Sequence, residues 1–181
     1  MVEKNPWKTL STRLVYENSW ISVREDQVLT PQGTTGIYGV VEARLAVGIV
    51  ALTDDSQIYL VGQYRYPTEG YSWEIPEGGS EDGEQALVTA KRELREETGL
   101  VATTWEPLGG EVHTSNCFTA ERGQLFLAQG LCLGESEPDE TEQLKVKKVS
   151  VVEALAMVDA GEIQDALSII ALLRLSRKLG V

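Results

Sequence analysis

The stretch from residue 83 to residue 98 carries a clear helical pattern, and this pattern limits the possible fold of the chain more than any other feature. Leu87, Ala90 and Leu94 recur at the spacing that places them on one stripe of a helix. Gly99 follows at the position where a helix ends, since glycine readily adopts the left-handed backbone conformation of a C-cap. The pattern predicts a helix over 83–98 that packs its apolar stripe against a core.

The polar face of this predicted helix carries an unfavourable cluster of charge. Glu93, Glu96 and Glu97 stand at positions i, i+3 and i+4, so their carboxylates project from the same side. The like-charge pair Glu93 and Glu97 destabilises a helix by roughly 0.2–0.5 kcal/mol, and the helix macrodipole disfavours anions in the last turns. A solvated face with an Arg92–Glu96 pair would explain scattered charges, but it explains this cluster poorly. A hard divalent cation such as Mg²⁺ would remove the repulsion, so the cluster predicts a metal site.

Short apolar and β-branched runs on both sides of the helix predict a mixed α/β or α+β fold. Three extended runs separated by tight turns open the chain and predict a small antiparallel sheet. A later run is continuously apolar, which is typical of a buried strand. The predicted strands are 12–17, 20–29, 36–41, 45–52, 58–66, 107–114, 123–131 and 143–150, and the predicted closing helices are 151–160 and 165–178.

The segment 78–100 resembles the Nudix box, G-x5-E-x7-R-E-U-x-E-E-x-G-U, in which U is an aliphatic residue. Nine specified positions match, and they are Gly78, Glu84, Arg92, Glu93, Leu94, Glu96, Glu97, Gly99 and Leu100. In proteins with this box, a loop–helix–loop presents carboxylates to Mg²⁺ or Mn²⁺ ions that bridge a diphosphate. The resemblance implies a metal-dependent hydrolase that cuts a nucleoside diphosphate linked to a second group.

The resemblance also implies which residues bind the metal. Glu93 and Glu97 would be the principal ligands, Glu96 would be a further ligand, and the carbonyl of Glu77 would be a backbone ligand. The implied reaction is attack of water on one phosphorus with departure of the other phosphate. The metal would polarise phosphoryl oxygens, lower the pKa of a bound water and neutralise developing charge.

Two other residues of the box would support these ligands. By the same resemblance, Arg92 would orient Glu93, and Glu84 would lie near the helix start as a supporting carboxylate. Arg92 and Glu96 therefore join the residues that we expect to take part in catalysis.

The acidic stretch 135–143 is a candidate for the general base. Acidic loops are usually only solvated, but in the resembling enzymes a loop between the last strands carries the catalytic glutamate. Alignment of this stretch and the strand after it puts Glu140 at that position. Glu142, one side-chain alternation away, is the second candidate.

The flanks of the box resemble ADP-ribose pyrophosphatases and related nucleoside-diphosphate-sugar hydrolases, over nearly the whole chain. The resemblance implies a Nudix fold, with a mixed β-sheet sandwiched between helices and an N-terminal antiparallel sheet. It divides the chain into an N-terminal extension, 1–43, and a Nudix hydrolase domain, 44–181. In that group the N-terminal sheet exchanges between subunits, which implies a domain-swapped homodimer. Three strands are too few to be stable alone, which fits such an exchange, although a simple extension packed on its own domain would also fit.

Two residues match substrate contacts of that group. Arg65 corresponds to an arginine that contacts the substrate, and the alternative is a salt-bridged surface arginine. Trp20 falls near the position of an aromatic residue that stacks on the base, and the alternative is a tryptophan buried in the small sheet.

One departure from the group leaves the sugar open. ADP-ribose pyrophosphatases carry a proline sixteen residues beyond the box, and this chain has Asn116 there. The expected products are a nucleoside monophosphate and a sugar phosphate, from ADP-ribose or from a nucleoside diphosphate hexose.

The composition limits the kinds of binding partner that we expect for this protein. The formal net charge is −12, whereas a general nucleic-acid binder would show a basic patch. The sequence has no apolar run of membrane-spanning length, and the start lacks the apolar stretch of a secretory signal, so we expect a cytoplasmic protein that binds neither nucleic acid nor membrane. Two other functions stay open: a Nudix nucleoside-triphosphate pyrophosphatase that sanitises nucleotides, and a non-catalytic Nudix module that senses a nucleotide.

Overall fold

The computed structural model describes residues 4–134 and 144–181. The helices are α1 (Ala86–Thr98), α2 (Val151–Asp159) and α3 (Ala166–Leu179), and a short 3-10 turn spans Tyr66–Thr68. The strands are β1 (Lys8–Glu17), β2 (Ile21–Leu29), β3 (Thr35–Ala43), β4 (Ala46–Ala51), β5 (Gln57–Arg65), β6 (Gly70–Glu74), β7 (Glu77–Gly79), β8 (Leu100–Pro107), β9 (Val112–His113), β10 (Arg122–Leu133) and β11 (Lys145–Ser150).

The chain divides into two compact units. The first unit comprises the residues up to Arg44 together with His113–Arg122, and the second comprises Leu45–Val112 and the residues from Gly123 onwards.

The first unit is built on an antiparallel sheet with the strand order β1-β2-β3. The segment 113–122 runs beside β3, where Val41 donates to the carbonyl of Phe118 and accepts from the amide of Ala120, both at 2.8 Å. Every residue of β1 is exposed, and so are several large apolar side chains of this unit: Leu10, Leu14, Tyr16, Trp20 and Ile37. The predicted N-terminal sheet is confirmed, and the structure leaves much of its apolar surface uncovered.

The second unit contains the mixed sheet predicted for this fold. Its strands follow the order β7-β4-β10-β8, with β4 and β10 parallel and the other neighbours antiparallel. A second sheet, β11-β5-β6, is antiparallel throughout. The expected combination of a mixed sheet, helices and an N-terminal antiparallel sheet is confirmed.

The position of strand β4 explains why its sequence is apolar throughout. Val47 and Ile49 pack with Leu94 of α1, whereas Val50 belongs to the cluster that contains Leu172 of α3. Successive strand residues point to opposite faces, so a strand with helices over both faces has no polar side. The apolar run is thus a buried strand, as predicted, and the mixed sheet lies between helices, as the resemblance implied.

The ends of the helices follow the expected chemistry. Ser150 caps α2 by accepting a hydrogen bond from the amide of Glu153 at 3.1 Å, and Asp165 caps α3 by accepting from Ser168 at 2.6 Å. Gly99 ends α1 with φ 69°, the left-handed conformation anticipated from its position. Within the described residues, no helix is both long and apolar enough to cross a membrane.

The prediction of one continuous strand over 107–114 is wrong, since only the two-residue strand β9 and the last residue of β8 fall in this range. The longer strand lies earlier, at Leu100–Pro107, directly after the helix. Leu108 and Val112 are buried and gave the later stretch its apolar character, but Gly109 has φ 85° and turns the chain between them. The carbonyl of Leu108 is satisfied by Arg174 at 2.9 Å instead of a strand partner.

Two details of the predicted box helix also change. The helix starts at Ala86 instead of Gly83, because Gly83 has φ 80° and lies in a turn. Leu87 is 37% exposed, and the buried stripe consists of Thr89, Ala90 and Leu94. The apolar stripe is therefore narrower than the sequence indicated.

Strands β6 and β7 are additional elements that the sequence pattern did not reveal.

Candidate active site

The strand β7 and the helix α1 meet through two contacts at the start of the box. The amide of Glu77 donates to Glu97 Oε2 at 2.9 Å. The carboxylate of Glu93 lies against the α-carbon of Gly78, where an added Cβ would come within 2.0 Å of the Glu93 carboxyl carbon. Only glycine leaves room for Glu93 in this position, which gives the first residue of the box a physical role.

Arg92 is the centre of a hydrogen-bonded network that joins the box residues. One end of its guanidinium donates from Nη1 to Glu93 Oε1 at 2.7 Å and to Glu96 Oε2 at 3.0 Å. The other end donates from Nη2 to Glu84 Oε2 and to the carbonyl of Gly79, both at 3.1 Å. The planar guanidinium fixes directions as well as charge, so this network holds two of the three clustered glutamates in defined orientations.

Glu84 anchors the far side of this network. The hydrogen bond from Arg92 and, after it, the amide of Glu81, which donates at 3.0 Å, contribute most to lowering the pKa of Glu84 to about 2. The hydroxyl of Thr89 also donates to Glu84 Oε2, at 2.9 Å. Glu84 is therefore ionised across the physiological range and acts as a fixed acceptor for Arg92.

Arg65 forms a second cluster with two glutamates of the neighbouring strands. Its Nε donates to Glu74 Oε1 at 3.1 Å and Oε2 at 3.0 Å, and its Nη2 donates to Glu77 Oε1 at 3.1 Å. Burial alone would lower the pKa of Arg65, but the hydrogen bonds to Glu74 together with the negative charges of Glu74, Glu77 and Glu97 outweigh burial and leave that pKa raised. Arg65 is thus a salt-bridged arginine in this structure, and its contact with substrate stays a prediction.

The side chain of Glu77 is the least satisfied acid of this region. It is 15% exposed, and its Oε2 atom is buried and has no hydrogen-bond partner among the residues that the structure describes. Burial raises the pKa of Glu77 well above its ordinary value, the nearby carboxylates of Asp165 and Glu74 add to the rise, and Arg65 opposes it. An electropositive or hydrogen-bonding group would stabilise this carboxylate.

The residues present fit a hard divalent cation by their chemistry. Across the described residues, no three His, Cys, Asp or Glu side chains form a group that could hold a metal ion as they stand. Arg92 and the Glu77 amide hold the carboxylates of Glu93, Glu96 and Glu97 instead. The donors are nonetheless carboxylate and carbonyl oxygens, which Mg²⁺ and Ca²⁺ prefer, and the unpartnered Glu77 Oε2 atom lies on the residue whose carbonyl is the expected ligand.

Other predicted residues lie apart from this cluster. Glu140 and Glu142 lie outside the described residues. Trp20 is 74% exposed in the first unit, so its interpretation as a tryptophan buried in the small sheet is wrong. Asn116 belongs to the first unit as well.

Glu74 is a site residue that sequence reasoning missed. It is 3% exposed on β6, between the aromatic Trp73 and the fully buried Ile75. A charged residue inside an apolar strand requires a charged or hydrogen-bonding partner, and Arg65 on the preceding strand was available in the sequence. That requirement is the signal that could have paired the two residues.

Comparison with known proteins agrees with this geometry. The NUDIX domain family model matches residues 42–171, and the model of the nucleoside diphosphate sugar hydrolase N-terminal domain matches residues 7–41. The ADP-ribose pyrophosphatase of Bacillus subtilis (strain 168) is 35% identical over 88% of this chain and 86% of its own length. The ADP-ribose pyrophosphatase of Mycobacterium tuberculosis (strain ATCC 25618 / H37Rv) is 35% identical over 94% and 83%.

Two further matches extend the comparison. The methanol dehydrogenase activator of Bacillus methanolicus is 35% identical over 91% of this chain and 89% of its own length. The crystal structure of an ADP compounds hydrolase superposes with a TM-score of 0.86 over 99% of this chain and 97% of that chain, at 22% identity, and therefore supports the fold. The box geometry, the family models and the relatives agree: the chain belongs to the Nudix family and is a Nudix hydrolase.

Proposed function

We propose that this enzyme hydrolyses the diphosphate linkage of a nucleoside diphosphate sugar, ADP-ribose or a nucleoside diphosphate hexose, to a nucleoside monophosphate and a sugar phosphate. The observation that carries the proposal is the network in which Arg92 orients Glu93 and Glu96 beside Gly78. The N-terminal match to nucleoside diphosphate sugar hydrolases and the ADP-ribose pyrophosphatases among the relatives support the sugar-linked substrate.

Four oxygen donors would hold the metal, which we propose is Mg²⁺, with Mn²⁺ as a substitute. They are the carboxylates of Glu93, Glu96 and Glu97 and the carbonyl of Glu77. A divalent cation bound there would neutralise charge on the diphosphate and make an attacking water more acidic.

The residues around these donors do the positioning. Glu84, held ionised, fixes one end of Arg92, and Arg92 in turn fixes the carboxylates of Glu93 and Glu96. Gly78 leaves the space that Glu93 occupies. Carboxylates already held on one helix face lose less freedom when the metal and substrate bind, although they would have to exchange contacts with Arg92 and the Glu77 amide for contacts with the metal.

Glu140 is proposed as the general base that takes the proton of the attacking water, with Glu142 as the second candidate. A positioned base contributes roughly 10²- to 10⁴-fold to a rate. We expect Glu140→Gln to lower kcat by that factor while the Mg²⁺ concentration for half-maximal rate stays nearly constant. A normal rate for Glu140→Gln together with a large loss for Glu142→Gln would transfer the role to Glu142.

A homodimer that exchanges the N-terminal extension is also proposed, with 1–43 as the extension and 44–181 as the hydrolase domain. The exposed apolar residues Leu10, Leu14 and Ile37 support it, because a three-stranded sheet with an uncovered apolar surface is stabilised by a further layer. Trp20, exposed in the same unit, is the proposed stacking partner of the base, and Arg65 is the proposed substrate contact in the hydrolase domain. The cytoplasmic location stays a prediction from the sequence.

A substrate panel tests the proposed function. ADP-ribose, ADP-glucose, GDP-mannose, UDP-glucose and nucleoside triphosphates are incubated with wild type and Glu97→Gln in Mg²⁺, and the products are separated by chromatography. We expect wild type to release a nucleoside monophosphate from at least one nucleotide sugar, and Glu97→Gln to lose most of this rate. The exposed Glu81→Gln is the matched control. Turnover of triphosphates alone would favour the sanitising function, and no turnover of any compound would favour a non-catalytic module.

A further inference from the structure

A cavity of about 400 Å³ opens in the second unit directly beside the box. It is bounded by the end of β5, the 3-10 turn, β6 and the residues just before and at the start of α3, and its polar lining includes Arg65, Thr68, Ser72, Glu77, Gln164 and Asp165. Its volume lies in the range of roughly 300–1,000 Å³ that is typical of sites for small organic molecules.

Two polar atoms of the lining residues lack a partner. Ser72 Oγ and Glu77 Oε2 are buried, and neither makes a hydrogen bond within the described parts of the chain. The Ser72 residue is 9% exposed, so bulk water does not reach it freely. Since buried polar groups are nearly always hydrogen-bonded, two such atoms on residues that line one cavity favour an occupant with hydrogen-bonding groups.

The charges of the lining decide which molecule fits. A single guanidinium, that of Arg65, faces the carboxylates of Glu74, Glu77 and Asp165, and it is already bonded to the first two. The wall therefore carries an excess of negative charge and disfavours a phosphate or carboxylate group. A neutral group that donates hydrogen bonds to carboxylates suits it better.

The position of the cavity connects it to the proposed reaction. Glu77 presents its side chain to the cavity while its amide donates to Glu97 Oε2 at 2.9 Å. A group attached to a diphosphate held by the box glutamates can therefore enter the cavity without a long connection. Sugar hydroxyls both donate and accept, so they match a carboxylate oxygen, a serine hydroxyl and the amide of Gln164 at once.

We propose that this cavity is the subsite for the neutral, hydroxyl-bearing sugar of the substrate, and that Ser72 and Gln164 help to determine which sugar is accepted. The inference rests on the proposed function and adds where the sugar lies. The same negative wall would reject the terminal phosphate of a nucleoside triphosphate.

The test compares substrates that carry or lack the sugar. Values of kcat/KM are measured for ADP-ribose, ADP-glucose and the β-methyl ester of ADP, with wild type, Ser72→Ala and Gln164→Ala. Loss of one neutral hydrogen bond should lower kcat/KM by about 3- to 10-fold. We expect this loss for the better ADP-sugar with both variants, while the methyl ester changes by less than about twofold. Thr104→Val, which removes an exposed hydroxyl from β8, is the matched control and should leave all three values unchanged.

The contradicting results are distinct. An equal loss on all substrates, including the methyl ester, would assign Ser72 and Gln164 a general structural role and overturn the inference. Unchanged values for both variants would overturn it as well. If wild type cleaves the methyl ester as efficiently as either ADP-sugar, the cavity contributes nothing to sugar recognition. Failure of wild type to cleave any nucleotide sugar would instead contradict the proposed function itself.

Discussion

Two arginines organise two clusters of carboxylates in the second unit, and the clusters differ in how completely their polar atoms are paired. Arg92 bonds to Glu84, Glu93 and Glu96. Arg65 bonds to Glu74 and Glu77, yet Glu77 Oε2 is left without a partner in the described structure.

The difference shows in the acids themselves. Hydrogen bonds, above all that from Arg92, lower the pKa of Glu84 to about 2, whereas burial raises the pKa of Glu77 despite Arg65. The first cluster is held together by its own hydrogen bonds, whereas the second leaves one buried carboxylate oxygen unpaired in the described structure. Both clusters consist of an arginine and glutamates, but the pKa of each glutamate depends on how deeply it is buried and on how many hydrogen-bond donors it has.

Among changes to these two clusters, the largest effect is expected from Gly78→Ala, which disturbs the contact between β7 and Glu93 of α1. A Cβ would lie 2.0 Å from the carboxyl carbon of Glu93 and force that side chain away. Loss of one metal ligand removes several kcal/mol of transition-state stabilisation, so kcat should fall roughly 10²- to 10³-fold. Steady-state kinetics at saturating Mg²⁺ measures this. Gly110→Ala, where a Cβ would have open space, is the control, and an equal effect of both changes would contradict the account.

Arg92→Ala should have the next largest effect, because it removes the donor that orients Glu93 and Glu96. Loss of such a supporting residue costs about 10- to 100-fold in metal affinity or rate. Arg92→Lys should restore little of it, since an ammonium cannot reproduce the two-sided fork. The readouts are kcat and the Mg²⁺ concentration for half-maximal rate. Lys91→Ala, an exposed neighbour on the same helix, is the control, and full activity of Arg92→Lys would reduce the role of Arg92 to charge alone.

Glu74→Gln tests how much the second cluster, that of Arg65, contributes to stability. It removes the charge that pairs most closely with Arg65, and Glu74 is buried. Breaking a buried ion pair costs several kcal/mol, but Arg65 is partly exposed and water screens part of the loss, so we expect about 1–2 kcal/mol less free energy of unfolding. Urea denaturation measures it, with the exposed Glu162→Gln as control. Unchanged stability would show that Glu74 adds no net stability.

The smallest effect concerns acid stability. Glu84 has a folded-state pKa of about 2, below the ordinary value of 4.5, so the stability that it contributes is fully present above the ordinary value. This contribution is lost as pH falls from 4.5 towards 2, because the carboxylate is then protonated in both states. The free energy of unfolding of Glu84→Gln, measured by denaturation between these pH values, should approach that of wild type as pH falls. A constant difference across the range would contradict the lowered pKa.

The first cluster, that of Arg92, could be predicted from sequence because its contacts are local. Arg92 and Glu96 are one helical turn apart, and the spacing of Glu93 and Glu97 alone fixes the shared face. Glu84, in contrast, was placed near the helix start by the resemblance to the Nudix box.

The cavity could not be predicted, because it depends on contacts between distant segments. Ser72 on β6 and the residues at the start of α3 line one cavity only after the second sheet and the helix have packed together, and no spacing in the sequence encodes this. The shifted strand at 100–107 has a related cause: Leu108 and Val112 are buried by packing, which imitates a strand pattern across a glycine turn.

The most direct test of the central claim is the Mg²⁺ dependence of nucleotide-sugar hydrolysis in wild type and Glu93→Gln. Both proteins are stripped of metal with a chelator and then titrated with Mg²⁺, with the exposed Glu81→Gln as control. The account predicts no turnover without metal, saturable recovery in wild type and Glu81→Gln, and a weak, poorly saturating recovery in Glu93→Gln. Metal-independent turnover, or identical titration curves for wild type and Glu93→Gln, would contradict a metal site built on the glutamates of α1.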